Sequence, residues 1–170
     1  MGFFDFLTGT KRPDKNTPIL AVNEVSDAIM AINRDTAPFK IHVDESGKAD
    51  LIAEWKVVDA KWYEVFGKAG FKKTFKVYLR FRDESKEVRA VDEEYAVVWK
   101  AGIPSLALAA EYFRGQKHVV EYSSAIAFTE EFKPGVVYSY RFNTKEIKKP
   151  IQQAIVACGW TYKPVAFGKL

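Results

Sequence analysis

The chain has 170 residues, of which 48% are hydrophobic and 28% charged, and its formal net charge is +4. This composition excludes a chain that is disordered throughout, and the single cysteine excludes both a disulfide framework and a multi-cysteine metal site. Aromatic residues make up 15% of the chain, which indicates a thick core or an aromatic pocket.

The first 18 residues are predicted to form an appendage, and residues 19–170 a single α+β domain. An apolar cluster opens the appendage, and two basic residues follow: Phe3, Phe4, Phe6 and Leu7, then Lys11 and Arg12. Apolar rings beside basic side chains are the ingredients of an interfacial anchor, so the cluster is predicted to contact a membrane or a partner protein. Packing on the protein's own sheet, or on a second subunit, is the alternative interpretation.

The sequence has no apolar run of the roughly 20 residues that a transmembrane helix needs. Its N-terminus lacks the basic start of a secretory signal, and the chain carries no Asn-x-Ser/Thr sequon. Together with the lone cysteine, these features predict a cytoplasmic protein and leave a peripheral position at the inner membrane face open.

Hydrophobic periodicity predicts a helix followed by a long series of strands. Asn23 is predicted to cap the first helix. From residue 39 the period changes to two, and the clearest strand runs over residues 73–82. A hairpin at residues 83–86 leads into a returning strand, whose alternation changes phase near residues 92–94 and predicts a bulge or a bend there.

Two later segments are ambiguous. Residues 59–69 fit a short helix or an irregular strand, whereas residues 106–113 fit a strand slightly better than a helix. The last helix is predicted to run from about Asn143 to Cys158 and to end at Gly159, and Pro150 restricts its regular part to residues from about 149 onward.

This order of elements predicts the fold class. The expectation is an α+β domain with a mostly antiparallel, strongly curved sheet or partial barrel of about seven or eight strands. An N-terminal helix and a C-terminal helix are predicted to pack on that sheet.

No pattern specifies catalysis or a metal site. The acidic run at residues 92–94 is predicted to be a solvated bulge or an edge-strand guard rather than an acid–base pair. His42 is predicted to face solvent, and neither it nor His118 has a ligand-spaced partner, so no metal is expected. Cys158 is predicted to be a buried small hydrophobe. No cofactor is predicted, because the chain has neither a phosphate loop nor a dinucleotide fingerprint.

The aromatic side chains have two interpretations. In the favoured one they fill the core. In the alternative, four of them line a ligand pocket inside the curved sheet: Trp55, Tyr63, Trp99 and Tyr138. An enzyme built on that pocket would use Glu54, Asp59 or Asp92 as its acid–base group.

Charge is divided into blocks along the chain. Residues 56–82 and 132–170 each carry a net +6, whereas residues 1–55 carry −3 and residues 83–131 carry −5. If the basic blocks meet, one positive patch forms: Lys72, Lys73, Lys76, Arg80, Arg82, Lys145, Lys148, Lys149 and Lys163. Such a patch would attract phosphates on a lipid surface, whereas nucleic acid is disfavoured because no aromatic-glycine RNA-binding signature is present. The sequence favours the alternative, a solvated face paired with the acidic blocks.

Three strings carry a resemblance: AEWKVVDAKWYEVFGKAG, VRAVDEEYAVVW and ACGWTYKPVAFGKL. The chain resembles, over about residues 20–170, an uncharacterised family of small bacterial proteins, and this resemblance implies no site residue. The predicted architecture is also similar in outline to the tubby-like and scramblase-like barrels, which associate with membranes. Lys149, Gln152 and Gln153 make the last helix amphipathic rather than uniformly apolar, which departs from those barrels.

Three functions follow as hypotheses. The first is a non-catalytic binding module for an anionic or amphipathic partner, reached at the inner membrane surface through residues 3–7. The second is a small-molecule carrier or an enzyme that uses the aromatic pocket. The third is a structural homo-oligomer. The sequence favours the first and disfavours an enzyme.

Overall fold

The computed structural model describes residues 3–108, 114–117, 120–122, 126–129, 137–140, 142–166 and 170, with the backbone alone described at residues 3, 126–129 and 137–140. In that part of the chain the α-helices are α1 (Phe3–Thr8), α2 (Val22–Met30), α3 (Tyr63–Lys68) and α4 (Thr144–Ala157). The strands are β1 (Phe39–Val43), β2 (Leu51–Trp55), β3 (Lys73–Arg82), β4 (Glu87–Lys100), β5 (Ile103–Leu108), β6 (Arg114–Gly115), β7 (Ile126–Thr129), β8 (Val137–Tyr140) and β9 (Thr161–Pro164).

Seven of these strands form one curled sheet, in which β1 to β5 are antiparallel neighbours in sequence order. The 14-residue β4 organises the sheet, because β3 pairs with one of its edges while β9, β6 and β5 pair in turn along the other. β9 runs parallel to β4, whereas β5 and β6 are antiparallel to it. β7 and β8 form a separate antiparallel pair. The fold is therefore α+β with a half-barrel sheet, as predicted.

The predicted bulge in β4 is wrong. β3 has the predicted bounds, and it pairs with β4 in one continuous register from Lys73, opposite Ala96, to the hairpin. The apolar alternation changes phase because Asp92 and Glu94 occupy the face on which Ala90 is buried. The backbone therefore stays regular, and two buried carboxylates interrupt the hydrophobic pattern.

The structure decides the first ambiguous segment and the beginning of the second. Residues 59–69 contain a 3₁₀ turn (Ala60–Trp62) and α3, so the helical alternative is correct. β5 confirms the strand as far as Leu108, and residues 109–113 lie outside the described residues. The capping prediction for α2 is wrong, because the helix begins after Ala21, whose N–H donates to the Glu24 carboxylate at 2.8 Å.

α4 begins directly after its predicted cap. The Asn143 side chain accepts a hydrogen bond from the Glu146 N–H at 3.2 Å. Three fully buried isoleucines form its apolar stripe: Ile147, Ile151 and Ile155. Pro150 lies inside the helix, so the expected restriction to residues from 149 onward is wrong. Burial of the stripe compensates for the hydrogen bond that proline removes.

The N-terminal segment pairs with the end of the domain. Lys11 and Tyr162 exchange two backbone hydrogen bonds of 3.0 and 2.9 Å. Gly159 follows α4 with φ +76°, as its predicted terminating role requires. A Cβ on this glycine would lie 2.4 Å from the Pro18 carbonyl oxygen, so only glycine lets the two segments approach.

Aromatic side chains fill the core between the sheet and the helices. The buried ones include Trp55, Trp62, Phe66, Phe71, Phe75, Phe142, Trp160 and Tyr162. Trp55 meets Phe142 edge to face, with ring centroids 5.1 Å apart. The core interpretation is confirmed for these residues. None of the described helices has the length and apolar character that a membrane span requires.

Candidate anion-binding site

A cavity of about 290 Å³ lies where α4, β9 and the segment after α1 meet. Five of its lining residues are lysines: Lys11, Lys117, Lys145, Lys148 and Lys149. The other lining residues within the described part of the chain are uncharged: Thr8, Gly9, Gln116, Thr144, Gln152, Tyr162 and Pro164. We call this cavity the lysine pocket.

A more open groove of about 470 Å³ adjoins the lysine pocket. The two cavities share Lys11, Lys145, Lys149 and Gln152, and the groove adds Arg12, Gln153 and Val156. Within the described ranges, their linings together hold six cationic side chains and no carboxylate. A concave surface lined by one sign of charge concentrates ions of the opposite sign, so the site favours an anion.

α4 supplies most of these groups through its helical period. Lys145, Lys148, Lys149 and Gln152 follow one another at i, i+3, i+4 and i+7, which places them on one face of the helix. Lys11 comes from the opposite end of the sequence, and its backbone pairing with Tyr162 of β9 brings it to the same cavity.

Three lysines of the pocket have no acidic partner within the part of the chain that the structure describes: Lys11, Lys145 and Lys149. The remaining cations at the site are partnered. Arg12 Nε lies 2.8 Å from Asp5 Oδ2, and Lys117 Nζ lies 3.3 Å from Glu94 Oε2. The three unpaired ammonium groups are therefore available to an external anion.

Lys148 joins the pocket to a buried carboxylate on the sheet. Its ammonium group donates to Asp92 Oδ2 and, at 2.7 Å, to the Lys117 carbonyl oxygen. The Lys117 N–H donates to the same Asp92 Oδ2 at 2.6 Å. Asp92 is fully buried and Lys148 is 8% exposed. The ion pair is therefore a fixed part of the pocket wall and not a mobile pair on the surface.

Burial controls the titration of this cluster. It raises the pKa of the Asp92 carboxyl, and the charge of Lys148 opposes that rise. Burial lowers the pKa of the Lys148 ammonium group, and Asp92 opposes that fall. Burial and the Asp92 charge also raise the pKa of Tyr162, so the phenol in the pocket wall stays neutral near pH 7.

The prediction that residues 92–94 are solvated is wrong. Asp92, Glu93 and Glu94 are 0%, 3% and 5% exposed. Each has a polar or cationic partner: Tyr95 Oη donates to Glu93 Oε1 at 2.6 Å, and Lys73 Nζ lies 3.4 Å from Glu94 Oε1. These partners compensate the carboxylates for the water they lose, which is why the acidic run can be buried.

The strand part of the predicted positive patch lies elsewhere. Lys76 lies 3.0 Å from Glu54, Arg80 lies 3.3 Å from Asp50, and Lys73 pairs with Glu94. The three further members of the predicted patch also lie outside the lysine pocket. Arg82 donates to the Leu170 carbonyl oxygen, Lys163 lies 3.0 Å from Glu87, and Lys72 is exposed. Of the predicted patch, the lysine pocket contains Lys145, Lys148 and Lys149.

Of the predicted aromatic residues, Trp55, Tyr63 and Trp99 do not line the lysine pocket or its adjoining groove. Trp55 is 2% exposed in the core, and Trp99 donates from Nε1 to the Phe71 carbonyl oxygen at 2.7 Å. Tyr63 Oη donates to the Val58 carbonyl oxygen at 3.4 Å. The side chain of Tyr138 lies outside the described residues.

The apolar N-terminal cluster lies on α1, the helix whose last residue, Thr8, lines the pocket. Phe4, Phe6 and Leu7 on α1 are 77%, 78% and 57% exposed, and the side chain of Phe3 is outside the described residues. Asp5 points inward, where it is 8% exposed and bound to Arg12. Thr8 and Gly9, which follow directly, line the pocket.

His42 and Cys158 line neither the lysine pocket nor the adjoining groove. His42 is half-exposed, and its Nε2 lies 2.8 Å from Glu54 Oε1, so it is bound to the sheet rather than simply solvated. His118 lies outside the described residues. Cys158 is 4% exposed, as predicted, and burial raises the pKa of its thiol. The described residues contain no cluster of His, Cys, Asp and Glu that could hold a metal ion.

Sequence reasoning missed Lys11, Lys117, Gln116 and Gln152 as pocket residues. The spacing of polar residues on α4 could have identified Gln152, because this residue lies on the same helix face as Lys145 and Lys149. Lys11 and Lys117 reach the pocket through long-range pairing, which leaves no local pattern.

A scan against protein-family models, a search of curated proteins and a search of solved structures each returned no match to this chain. The resemblance to an uncharacterised bacterial family therefore stays a prediction.

Proposed function

We propose that this protein is a non-catalytic binding module that holds a phosphate-bearing ligand in the lysine pocket. One observation carries the proposal: the described residues that line the cavity include five lysines and no carboxylate, and three of those lysines have no acidic partner in that part of the chain. Ammonium groups bind phosphate oxygens by charge-assisted hydrogen bonds, and several that converge on one cavity act together.

The dimensions of the pocket support a small anionic group. A volume of about 290 Å³ is at the lower end of what ligand pockets occupy. It suits a single phosphorylated headgroup better than a polymer. Gln116, Thr144 and Gln152 add neutral hydrogen-bonding groups that can orient such a headgroup.

The lining of the pocket supports binding rather than catalysis. Among the described residues that line it, none is a histidine, cysteine or carboxylate that could exchange protons with a ligand near pH 7. Asp92 lies behind Lys148 and is not a lining residue. The carrier, enzyme and homo-oligomer hypotheses stay predictions without a supporting feature at this site.

We also propose that the protein is cytoplasmic. Cys158 is a free, buried thiol, which a reducing compartment preserves. Phosphorylated small molecules and headgroups are available there.

Calorimetric titration with glycerol 3-phosphate, a soluble phosphomonoester, tests the proposed function. The double variant Lys145→Gln/Lys149→Gln is expected to bind about tenfold more weakly, because it removes two ion pairs of about 0.7 kcal/mol each. Lys61→Gln/Lys72→Gln removes the same charge from exposed lysines outside both cavities and is the matched control. Absence of binding by the unmodified protein, or equal weakening in the control, would reject the proposal.

A further inference from the structure

α1 presents an apolar surface beside the lysine pocket. Phe4, Phe6 and Leu7 expose more than half of their side chains within four residues of sequence. A single exposed apolar residue is ordinary, but three together on a short helix mark a contact surface. Asp5, the acidic residue of this helix, is turned inward to Arg12, so the exposed side is free of its charge.

The apolar surface and the cations are consecutive in the chain. Thr8 ends the helix and Gly9 follows it, both in the pocket wall, and Lys11 and Arg12 come shortly after them. Lys11 is fixed by its backbone pairing with Tyr162, so the helix joins the domain at the mouth of the cavity. The apolar surface and the lysines are therefore near enough along the chain for one partner to contact both.

We propose that this face docks on a membrane that contains a phosphomonoester lipid: Phe4, Phe6 and Leu7 enter the interface, and the lysine pocket takes the lipid phosphate. The inference rests on the proposed function and names the source of its ligand. Charge complementarity selects this occupant, because the unpaired lysines Lys11, Lys145 and Lys149 beside exposed apolar side chains match an anionic headgroup layer over hydrocarbon.

The pocket favours a phosphomonoester over a phosphodiester lipid. A phosphomonoester is nearly dianionic at pH 7 and offers three free oxygens, whereas a phosphodiester carries one negative charge and offers two free oxygens. Three unpaired lysines that converge on one cavity make use of the additional charge and oxygen.

Vesicle co-sedimentation tests the docking. Three vesicle types distinguish the sources of binding: phosphatidylcholine alone, phosphatidylcholine with phosphatidic acid, and phosphatidylcholine with enough phosphatidylglycerol to match the surface charge. The protein is expected to bind the phosphatidic acid vesicles at least about fivefold more tightly than the charge-matched ones. Phe4→Ser/Phe6→Ser and Lys145→Gln/Lys149→Gln are each expected to lose at least about fivefold in that binding. Ile19→Ser/Ile103→Ser, which changes two exposed apolar residues outside α1, is expected to bind as the unmodified protein does.

Titration of the same proteins with glycerol 3-phosphate separates the two proposals. Phe4→Ser/Phe6→Ser is expected to bind glycerol 3-phosphate normally, which also shows that the variant is folded. Binding of glycerol 3-phosphate without binding to any vesicle would overturn the membrane inference and leave the proposed function standing. Equal binding to both anionic vesicle types would overturn the choice of a phosphomonoester. A dimer in sedimentation equilibrium that Phe4→Ser/Phe6→Ser dissociates would assign the apolar surface to a second copy of the chain and overturn the inference.

Discussion

Lys148 of α4 and Asp92 of β4 form an ion pair that is buried between the C-terminal helix and the sheet. The pair also holds the backbone of Lys117, which both side chains contact. Three segments that are distant in sequence are thereby joined at one side of the lysine pocket. The site depends on this junction, because Lys117 and Lys148 are both lining residues.

Removal of one member of this pair is expected to destabilise the protein strongly. Lys148→Met leaves Asp92 buried without its counter-ion, which costs about 3–5 kcal/mol of unfolding free energy. Asp92→Leu/Lys148→Met removes both charges and is expected to recover most of that loss. Urea denaturation measures both values. A double variant no more stable than the single one would show that the packing of α4, rather than the uncompensated charge, sets the cost.

The stability of the same variants is expected to depend on pH. Burial raises the folded-state pKa of Asp92, and loss of Lys148 removes the group that opposes the rise. A carboxyl with a raised folded-state pKa contributes stability below its unfolded pKa of about 3.9, and this contribution is lost as pH rises through the folded value. Lys148→Met is therefore expected to lose stability relative to Asp92→Leu/Lys148→Met between pH 4 and 8. Parallel urea midpoints across this range would contradict the assignment.

Gly159 is expected to tolerate no side chain. Gly159→Ala combines a positive φ with a Cβ 2.4 Å from the Pro18 carbonyl oxygen. Backbone strain alone costs about 1–2 kcal/mol, and the loss of unfolding free energy in this variant is expected to be well above that. Gly47→Ala is the control, since its φ is +78° and its Cβ would meet no atom within 4 Å. Urea denaturation of both variants isolates the contact between the N-terminal segment and the end of α4. Equal losses in the two variants would show that this contact relaxes freely.

The elements that local patterns encode were predictable. The strict alternation in β3 and the apolar spacing of Ile147, Ile151 and Ile155 on α4 each mark one buried face, so the sequence alone located both elements. The half-barrel followed from a long series of strands with short connections. Pro150 was misjudged because burial of a helix face, which depends on the whole fold, outweighed a local rule.

The site was only partly predictable because its partners are distant in sequence. Asp92 is separated from Lys148 by 56 positions and from Lys117 by 25, and no local pattern announces either contact. The acidic run therefore resembled a solvated bulge. Lys145 and Lys149 were predicted to belong to a positive patch together with cations of β3. Only the fold shows that they share a pocket with Lys11 instead, and that the cations of β3 do not line it.

Ligand binding is expected to depend on the charge of the ligand. Glycerol 3-phosphate gains its second negative charge as pH rises through about 6, so its affinity should increase between pH 5 and 7. Sulfate keeps a constant charge over this range and is the control, since its affinity should change little. Calorimetric titration at several pH values checks both. A rise of the same size with sulfate would place the titrating group on the protein rather than on the ligand.

The most direct test of the lysine pocket is a map of amide chemical shifts during titration with glycerol 3-phosphate. The largest changes are expected at Thr8 to Lys11, at Gln116 and Lys117, and along α4 from Thr144 to Gln152. Lys145→Gln/Lys149→Gln should reduce these changes at equal ligand concentration, and Lys61→Gln/Lys72→Gln should not. Changes centred on the cations of β3, or no changes at millimolar ligand, would contradict the pocket as the anion-binding site.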